Sequence, residues 1–326
     1  MQNPKLEDVA ALAGVSKTTV SRVLNNRGYL SEKTKQKVFD SMKALHYRPN
    51  DVARQLFSKE TKMVGLIFPT TANPFFGQMA AQLEMKLFNA GYKVLIGNSM
   101  NDPLKEKEYL QKLLANQVDG LIVGAHNQNI AEYNNTNLPI VAIDRVMNDD
   151  IPVIASDNYD GGKKAMTLLL KRGARHIVHT DGPTDLQSPA LDRRRAYEDM
   201  MAANDLPTIV YTVALDSSDA QKKETFRQIF KENKKIDGVF ASNDVDASLI
   251  IQVAAEFQKQ VPEDLLVVGY DGTETVRLFK PELTTIIQPI EEMAAMAVST
   301  LMDRIEGKKT PHKIILPVTV HQGTTA

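Results

Sequence analysis

The feature that most constrains the fold is an alternation of short apolar runs with longer amphipathic segments, which begins at Met63 and continues toward the C terminus. Short apolar runs bounded by turn residues predict buried strands, and the segments between them predict helices. This alternation is typical of a parallel sheet wrapped by helices, so the predicted class is α/β. The strand candidates are MVGLIFP, KVLIGNS, GLIVGA, PIVAID, VIASD, HIVHTDGP, TIVYTVA, GVFASND and LLVVGYDG.

The strand pattern also repeats along the chain. VDGLIVG at 118–124 resembles IDGVFAS at 236–242, and PIVAIDR resembles LLVVGYDG. MVGLIFP likewise resembles HIVHTDGP. The simplest explanation is a pair of similar βα lobes, each of roughly 130 residues.

The first sixty residues follow a different pattern, in which short helical segments are separated by turn residues. Apolar residues at helical intervals predict a first helix, which Gly14 ends in a short turn. Ser16 and Ser31 stand where hydroxyls cap a second and a third helix, and Pro49 stops the third. Three short helices with a tight turn between the first two predict an all-α helix-turn-helix unit. The expected inward positions are Leu6, Val9, Ala10, Ala13, Val20, Val23, Leu24, Val38, Met42 and Leu45.

Charge is distributed unevenly between these two parts of the chain. Residues 1–60 contain 11 lysines and arginines against 6 aspartates and glutamates, whereas the remainder contains 28 against 34. A small basic unit joined to a mildly acidic body is expected where only the first segment contacts a polyanion such as DNA. On charge alone, a solvated surface remains the alternative.

Several classes of protein are disfavoured by what the sequence lacks. The chain has no cysteine, which excludes disulfides, thiolate nucleophiles and thiolate metal sites. Its N terminus has no signal-peptide pattern, and no apolar window approaches the length that spans a bilayer. We therefore expect a cytoplasmic protein with no membrane partner.

Patterns for catalysis and cofactors are weak. Neither a Gly-x-Gly fingerprint nor a phosphate-binding loop occurs, and GGKKA at 161–165 predicts a tight turn and a helix start. His176 and His179 are three apart on a predicted strand, so they point to opposite faces and cannot share a metal. We expect no catalytic residue, no metal, no cofactor and no enzyme activity. Asp144 and Asp271 as the acid and base of a glycoside hydrolase remain the enzymatic alternative.

Polar and aromatic side chains cluster where the predicted strands end. In open α/β sheets the crevice outside the carboxyl ends of the strands is the ligand site. Carboxylates, amides and a guanidinium beside aromatic rings suit a polyhydroxylated small molecule. The alternative is that each Asp or Asn only caps a helix. These strand-end residues are Asn73, Phe75, Asp144, Arg145, Asn243, Asp244 and Asp271.

Several longer motifs give the chain a resemblance to a known family. LEDVAALAGVSKTTVSRVLN and YRPNDVARQL are the most specific, with support from VGLIFPTTANPFF, SDNYDGG, ASNDVDA, VVGYDGTE and LTTIIQP. From about Leu6 to Val320 the chain resembles the lactose-repressor (LacI) family of bacterial transcription factors. Two stretches, GYLSEKTKQKV and VGLIFPTTANPFF, resemble sugar-utilisation repressors of Gram-positive bacteria, of the sucrose type.

The resemblance implies a division into three parts. A helix-turn-helix DNA-binding domain would precede a hinge helix with its linker, and both would precede an effector-binding domain similar to periplasmic sugar-binding proteins. The effector-binding domain would consist of two βα lobes with parallel sheets. The implied boundaries are 1–48, 49–61 and 62–326, with an N-lobe at about 62–159 and 291–320 and a C-lobe at about 160–290 and 321–326.

For DNA, the resemblance implies that the second helix enters the major groove and the hinge meets the minor groove. Arg22 would contact a guanine, Leu56 would wedge into the minor groove, and the small Ala53 would let two hinges lie close. Asn50 would cap the hinge helix. The remaining DNA-binding residues would be Ser16, Lys17, Thr18, Thr19, Ser21 and Asn25.

For the effector, the resemblance implies a cleft between the two lobes. Arg193 is one of three adjacent arginines with Arg194 and Arg195, so its assignment depends on the structure. Asp216 falls near the position where many relatives carry an aromatic ring that stacks on the ligand, so its presence favours an effector that is richer in hydroxyls or held differently. The implied cleft residues are Asn73, Phe75, Phe76, Asp144, Arg193, Asn243 and Asp271.

Together these features predict a DNA-binding transcriptional repressor of a carbohydrate-utilisation operon. We expect a homodimer on a pseudo-palindromic operator, because no C-terminal leucine heptad is present to build a tetramer. A sugar or sugar phosphate would release or tune it. The alternatives are a regulator of the same family controlled by a protein corepressor, a sugar-binding protein and a glycoside hydrolase.

Overall fold

A computed structural model shows a chain of two compact units, divided between Thr61 and Lys62. The residues it describes are 4–24, 28–47, 61–115, 118–125, 127, 130–134, 137–183, 190–214 and 217–326. The predictions for Asn25, Asn50, Ala53, Leu56 and Asp216 lie outside the described residues.

The described part of the first unit contains three helices, and the predicted signals at Gly14, Ser16 and Ser31 lie at helix ends. The third helix ends at Ala44, before the predicted stop at Pro49, which lies outside the described residues. Gly14, in the left-handed region at φ 66°, ends the first helix, as a residue without a Cβ readily does. Ser16 Oγ accepts a hydrogen bond from Thr19 N at 3.1 Å, and Ser31 Oγ accepts one from Thr34 N at 3.2 Å. The helices are α1 Leu6–Ala13, α2 Lys17–Leu24 and α3 Glu32–Ala44.

The interior of this unit is small and mostly apolar. Its buried apolar residues come from all three helices, which confirms the inward face predicted for each. Ser41 is also buried, and its Oγ donates to Lys37 O at 2.8 Å. Six apolar side chains make a modest core, so the stability of this unit depends on every one of them. The buried apolar residues are Val9, Ala10, Ala13, Val20, Val23 and Val38.

The described residues of the second unit form two six-stranded sheets. The first has the strand order β11-β5-β4-β3-β1-β2 and the second has the order β12-β10-β9-β8-β6-β7. The first sheet is formed by β1 Met63–Phe68, β2 Lys93–Asn98, β3 Gly120–Val123, β4 Ile140–Ile143, β5 Val153–Ser156 and β11 Lys313–Leu316. The second is formed by β6 Ile177–Asp181, β7 Ile209–Thr212, β8 Gly238–Phe240, β9 Leu266–Asp271, β10 Thr284–Ile287 and β12 Thr319–His321.

Helices cover both sheets, and each sheet has its own buried clusters. They are α4 Pro74–Asn89, α5 Pro103–Ala115, α6 Asn158–Lys171, α7 Leu191–Ala202, α8 Asp219–Glu232, α9 Asp244–Glu256, α10 Glu274–Phe279 and α11 Ile290–Ile305. Strand pairs within each sheet are parallel except for β10 with β12, which is antiparallel. The predicted fold class, an all-α head followed by an α/β body, is confirmed.

The chain passes between the two sheets three times. It leaves the first sheet after β5 and enters α6, which packs on the second sheet. It returns after β10 into α11, whose apolar face packs on the first sheet, and it crosses again between β11 and β12. Each sheet is therefore assembled from separate segments of sequence, and the strand patterns at 284–287, 313–316 and 319–321 were not among the predicted strands.

The tight turn predicted at GGKKA is wrong. Gly161 and Gly162 lie within the first turns of α6, which begins at Asn158, and both are buried. A Cβ on Gly162 would lie 2.7 Å from the Cβ of Ala196 and 2.9 Å from the carbonyl oxygen of Arg193 on α7. The glycine pair therefore permits close contact between α6 and α7, a packing role that local sequence does not reveal.

Candidate functional sites

The polar face of α2 is exposed, as the helical spacing predicts. Lys17, Thr18, Ser21 and Arg22 are exposed, whereas the two valines of the helix are buried. Lys17 Nζ lies 2.5 Å from Glu7 Oε1, and both side chains remain at least half exposed. An exposed pair of this kind exchanges partners at little cost, so Lys17 can turn to a phosphate.

Ser16 and Thr19 are engaged with each other at the start of the same helix. Their hydroxyl oxygens lie 2.9 Å apart, in addition to the bond from Thr19 N to Ser16 Oγ. These two residues fix the beginning of α2 and so hold Arg22 and Thr18 in place on its exposed face.

In the second unit, a cavity of about 220 Å³ opens at the carboxyl ends of strands from both sheets. Its walls combine aromatic rings with carboxylates, amides and cations. All seven residues predicted for the cleft line this one cavity: Asn73, Phe75, Phe76, Asp144, Arg193, Asn243 and Asp271.

The two asparagines of the cavity cap helices. Asn73 Oδ1 accepts hydrogen bonds from Phe75 N at 2.9 Å and Phe76 N at 3.4 Å at the start of α4. Asn243 Oδ1 accepts one from Asp246 N at 2.9 Å at the start of α9. The capping alternative is therefore correct for both asparagines, although both also line the cavity.

The two aspartates have a different local structure. Asp144 directly follows β4 at φ 51°, and Asp271 ends β9 at φ 103°. Residues other than glycine rarely adopt such angles, and strained backbone of this kind clusters at ligand sites. Neither aspartate caps a helix, so the capping alternative fails for them.

Arg193 is the one of the three adjacent arginines that lines the cavity. Its Nε donates to Asn158 Oδ1 at 2.6 Å and its Nη1 donates to Ser242 O at 3.0 Å. The guanidinium lies 3.5 Å over the ring centroid of Tyr270, with Nη2 at 3.8 Å from Asp144 Oδ2. A planar, stacked cation with fixed donors is held ready for a hydroxyl or ring oxygen.

Its two neighbours are engaged elsewhere. Arg194 donates to Glu198 at 2.8 Å, and Arg195 lies 5.4 Å from the ring centroid of Tyr159.

Gln288 connects the two sheets beside Asp271. Its Nε2 donates to Asp271 Oδ1 at 2.8 Å, and its Oε1 accepts from Ser156 Oγ at 2.7 Å. Ser156 ends β5 in the first sheet, whereas Asp271 ends β9 in the second. Sequence analysis missed Gln288 as a cavity residue, although the motif LTTIIQP contains it.

Burial dominates the electrostatics of the cavity. It raises the pKa of Asp144, although Arg193 and Asn158 act in the opposite direction. Burial also raises the pKa of Asp271 against the effects of Arg193 and Gln288. Carboxylates that are costly to ionise gain from donors supplied by a ligand.

Two other strand-end residues do not reach the cavity wall. Arg145 turns away to Glu106, with Nη1 at 3.0 Å from Oε1, and also donates to the carbonyls of Ala125 and Asn127. Asp244 accepts from Thr285 Oγ1 at 2.5 Å and from Gly272 N at 2.8 Å. Both side chains therefore bond to protein groups outside the cavity wall.

Conversely, several polar residues of the cavity were not predicted. Asp246 accepts from Lys222 Nζ at 2.8 Å and from Ser242 Oγ at 2.7 Å. Asp181 is the last residue of β6, so the rule that ligand residues follow strand ends also predicts it. The unpredicted polar residues of the wall are Thr70, Asn101, His179, Asp181, Lys222, Ser242, Asp246 and Gln288.

Comparison with known proteins identifies the family of the chain. A model of bacterial regulatory proteins of the lacI family matches residues 5–50, and a periplasmic binding protein-like domain matches residues 166–326. The sucrose operon repressor of Pediococcus pentosaceus is 46% identical over 325 residues, 99% of each chain. The chain belongs to the lacI family of bacterial regulatory proteins.

Other members are similar along their whole length. The sucrose operon repressor of Streptococcus mutans is 42% identical over 98% of each chain. The lac repressor dimer bound to operator and the anti-inducer ONPF is 28% identical, with a TM-score of 0.87 over 99% of each chain. As a lacI-family member the chain is a transcriptional regulator and not an enzyme, so glycoside hydrolysis is set aside.

The described part of this lacI-family chain lacks two kinds of feature. No group of three or more histidines, aspartates or glutamates there could hold a metal ion. No described helix is both long and apolar enough to cross a membrane.

Proposed function

We propose that this lacI-family regulator represses a carbohydrate-utilisation operon and that a sugar bound in the cleft controls its affinity for the operator. The observation that carries the proposal is the cavity where strand ends of both sheets converge, with Asp144, Asp271 and Arg193 on its wall. The names of the similar sucrose operon repressors support the same class of effector.

The chemistry of the wall suits a sugar. Asp144 and Asp271 accept hydroxyl hydrogens, and Arg193 donates to hydroxyl or ring oxygens. Phe76 packs 5.5 Å from Phe68 and 5.2 Å from Phe75 between ring centroids, which makes a firm aromatic surface. Such a surface covers the apolar face of a sugar ring.

The DNA-binding surface consists of the exposed face of α2 in a homodimer. Arg22 donates to a guanine in the major groove, with Thr18 beside it and Lys17 near phosphates. Ser16, Thr19 and Ser21 fix the register on the backbone. Because few side chains of one head reach bases, two heads on a pseudo-palindromic operator are needed for tight binding.

Control passes from the sugar-binding domain, 62–326, to the head, 1–48, through the hinge, 49–61. A sugar that bridges Asp144 of the first sheet and Asp271 of the second favours one arrangement of the lobes. Leu56, Ala53 and Asn50, which lie outside the described residues, are the hinge residues that this proposal assigns to operator binding. When this arrangement separates the hinges, their helices melt and operator affinity falls.

The test uses the purified full-length protein on a fluorescent operator isolated by selection from random DNA. Sucrose, fructose, glucose, ribose and their phosphates are added in turn, and operator binding is followed by anisotropy. Release by a sugar or its phosphate alone supports the proposal. Release only when a second protein is added would favour control by a protein corepressor.

A further inference from the structure

The proposed function assigns no role to two residues of the cavity wall, His179 and Asp181. They lie two positions apart on β6, so their side chains project from the same face of the second sheet. Both are nine-tenths or more buried, and both line the cavity. Their position therefore gives a ligand two neighbouring polar groups from one strand.

Each of them carries a buried acceptor atom without a hydrogen-bond partner among the described residues. Asp181 Oδ1 accepts from Gly182 N at 2.8 Å, but Oδ2 has no partner. His179 Nδ1 lies 2.9 Å from the carbonyl oxygen of Phe240, so Nδ1 holds the proton and Nε2 is an acceptor, also without a partner. Unpaired buried acceptors are rare and costly, and a hydroxyl of a ligand would satisfy them.

His179 remains an acceptor at physiological pH. Burial lowers its pKa to about 3, with Arg193 and Arg194 acting in the same direction. Its ring stacks at 4.6 Å from Phe240 and 5.2 Å from Tyr197 between centroids, which fixes its orientation. The strand therefore presents two acceptors and no charged donor.

Both cations among the described wall residues already have hydrogen-bond partners in the protein, although Arg193 Nη2 lies 3.8 Å from Asp144 and keeps donors for a neutral oxygen. Arg193 is bound by Asn158 and the carbonyl of Ser242, and Lys222 is bound by Asp246. Of the described lining residues, two are Lys or Arg, namely Arg193 and Lys222, whereas four are carboxylates: Asp144, Asp181, Asp246 and Asp271. The undescribed residues of this unit, 116–117, 126, 128–129, 135–136, 184–189 and 215–216, include neither lysine nor arginine.

The helix N termini at the cavity also provide few free N–H groups for an anion. The first N–H groups of α4 and α9 are capped by Asn73 and Asn243. The helix α7 also begins at the wall, but Asp192 stands in its first turn. A phosphate placed here would lose its hydration to meet carboxylates and paired cations.

We propose that the cleft selects an uncharged, hydroxyl-rich sugar over its phosphate esters, and that Asp181 is a specificity-determining residue that accepts a hydroxyl hydrogen of that sugar. His179 Nε2 is a second hydrogen-bond acceptor on the same strand, next to Asp181. This inference rests on the proposed function, because it takes the cavity to be the effector site. It also decides between the two effector classes that the family resemblance leaves open.

The test is calorimetric titration of the full-length protein with matched pairs of ligands. The pairs are fructose with fructose 6-phosphate, glucose with glucose 6-phosphate, ribose with ribose 5-phosphate and sucrose with sucrose 6-phosphate. One neutral sugar should bind, and its ester should bind about 100-fold more weakly, because the added dianion faces carboxylates. An ester that binds as tightly as its neutral partner, or a failure of every neutral sugar to bind, would overturn the inference.

The role of Asp181 is tested by D181N, which keeps the size of the side chain and removes its charge. Affinity for the neutral sugar should fall about tenfold, since a charge-assisted hydrogen bond is lost. The ratio of the affinity for the neutral sugar to the affinity for its ester should also fall in D181N. The matched control is D205N, at an exposed turn residue with φ 56° that asparagine readily adopts.

If D181N binds the sugar and its phosphate ester with the same affinities as the native protein does, Asp181 does not determine specificity. Should D181N fail to fold in a thermal melt, the comparison of sugar with ester in the native protein still decides the selectivity. Operator release separates the two proposals. Binding of a neutral sugar without any effect on operator would contradict the proposed function alone, and release by an ester but not by its sugar would contradict this inference alone.

Discussion

Asp144 and Asp271 occupy a backbone conformation that favours glycine and asparagine, and both keep a buried carboxylate there. Such a placement costs free energy in the unliganded protein, from the strained backbone and from the lost hydration of the charge. A ligand that donates hydrogen bonds to these groups offsets part of that cost. The arrangement is therefore expected where binding energy must be coupled to a change of state.

Asp271→Asn tests this cost. Burial raises the native pKa of Asp271, so the native state holds its proton to a higher pH than the unfolded chain does. That contribution to stability is present below the unfolded pKa and is lost as the pH rises through the raised native pKa. The melting temperature of Asp271→Asn relative to the native protein should therefore be higher at pH 9 than at pH 5.

The same variant should bind effector about tenfold more weakly, since a carboxylate acceptor is lost, and should bind operator normally. Melting curves at the two pH values and anisotropy titrations measure these effects. If the difference in melting temperature between Asp271→Asn and the native protein does not change with pH, ionisation of Asp271 does not destabilise the native state. If Asp271→Asn binds effector as tightly as the native protein does, Asp271 is not an effector-binding residue.

Arg22→Ala addresses the other site. Removing a bidentate guanine contact should cost about 1–3 kcal/mol of operator binding and relax base preference at one position of each half-site. A binding selection on random DNA measures the preference, and Lys33→Ala, at an exposed position of α3, is the control. Unchanged base preference would exclude Arg22 from base recognition.

At the scale of elements, the contact between α6 and α7 supports the cavity. The helix α7 carries Arg193, and α6 begins at Asn158, which accepts a hydrogen bond from Arg193. Gly162→Ala adds a methyl group that meets the backbone of α7. Although alanine is the better helix former, the overpacking should destabilise the protein by about 1–3 kcal/mol. The substitution should also weaken effector binding by shifting Arg193.

Denaturant unfolding measures this effect, with the exposed neighbour Lys163→Ala as a control that stays within about 0.5 kcal/mol of the native protein. If Gly162→Ala is as stable as that control, α6 and α7 can accommodate the added methyl group without loss of stability.

Element by element, the sequence predicted what depends on local patterns. Gly14, Ser16 and Ser31 mark helix ends through backbone and hydroxyl chemistry that acts within a few residues. The packing of Gly162 against α7 and the antiparallel pairing of β12 depend on partners distant in the sequence. No local pattern contains that information.

The cavity was predictable to a similar extent. The strand-end rule and the family motifs gave residues such as Asp144 and Asp271, because parallel strands bring their carboxyl ends together. Neither rule separates a residue that faces the cavity from one that turns behind it. Arg145 and Asp244 follow strands just as Asp144 does, yet they bond to loops and strands outside the wall.

For the whole molecule, the proposed control by a sugar implies a reciprocal effect. If effector lowers operator affinity by some factor, operator must lower effector affinity by the same factor, since both ligands bias one equilibrium. Titration of the effector into free and operator-bound protein measures the second factor, and anisotropy measures the first. Unequal factors would mean that the two ligands do not act on a single two-state equilibrium.

The three crossings between the sheets also limit how this molecule can move. They lie side by side, because Asp157 N donates to Leu316 O at 2.7 Å and Ser156 Oγ donates to Gln288 at 2.7 Å. From three adjacent connections we expect a hinge motion that opens and closes the lobes, in preference to sliding of one lobe past the other. The binding energy of a ligand would then act mainly on this opening angle.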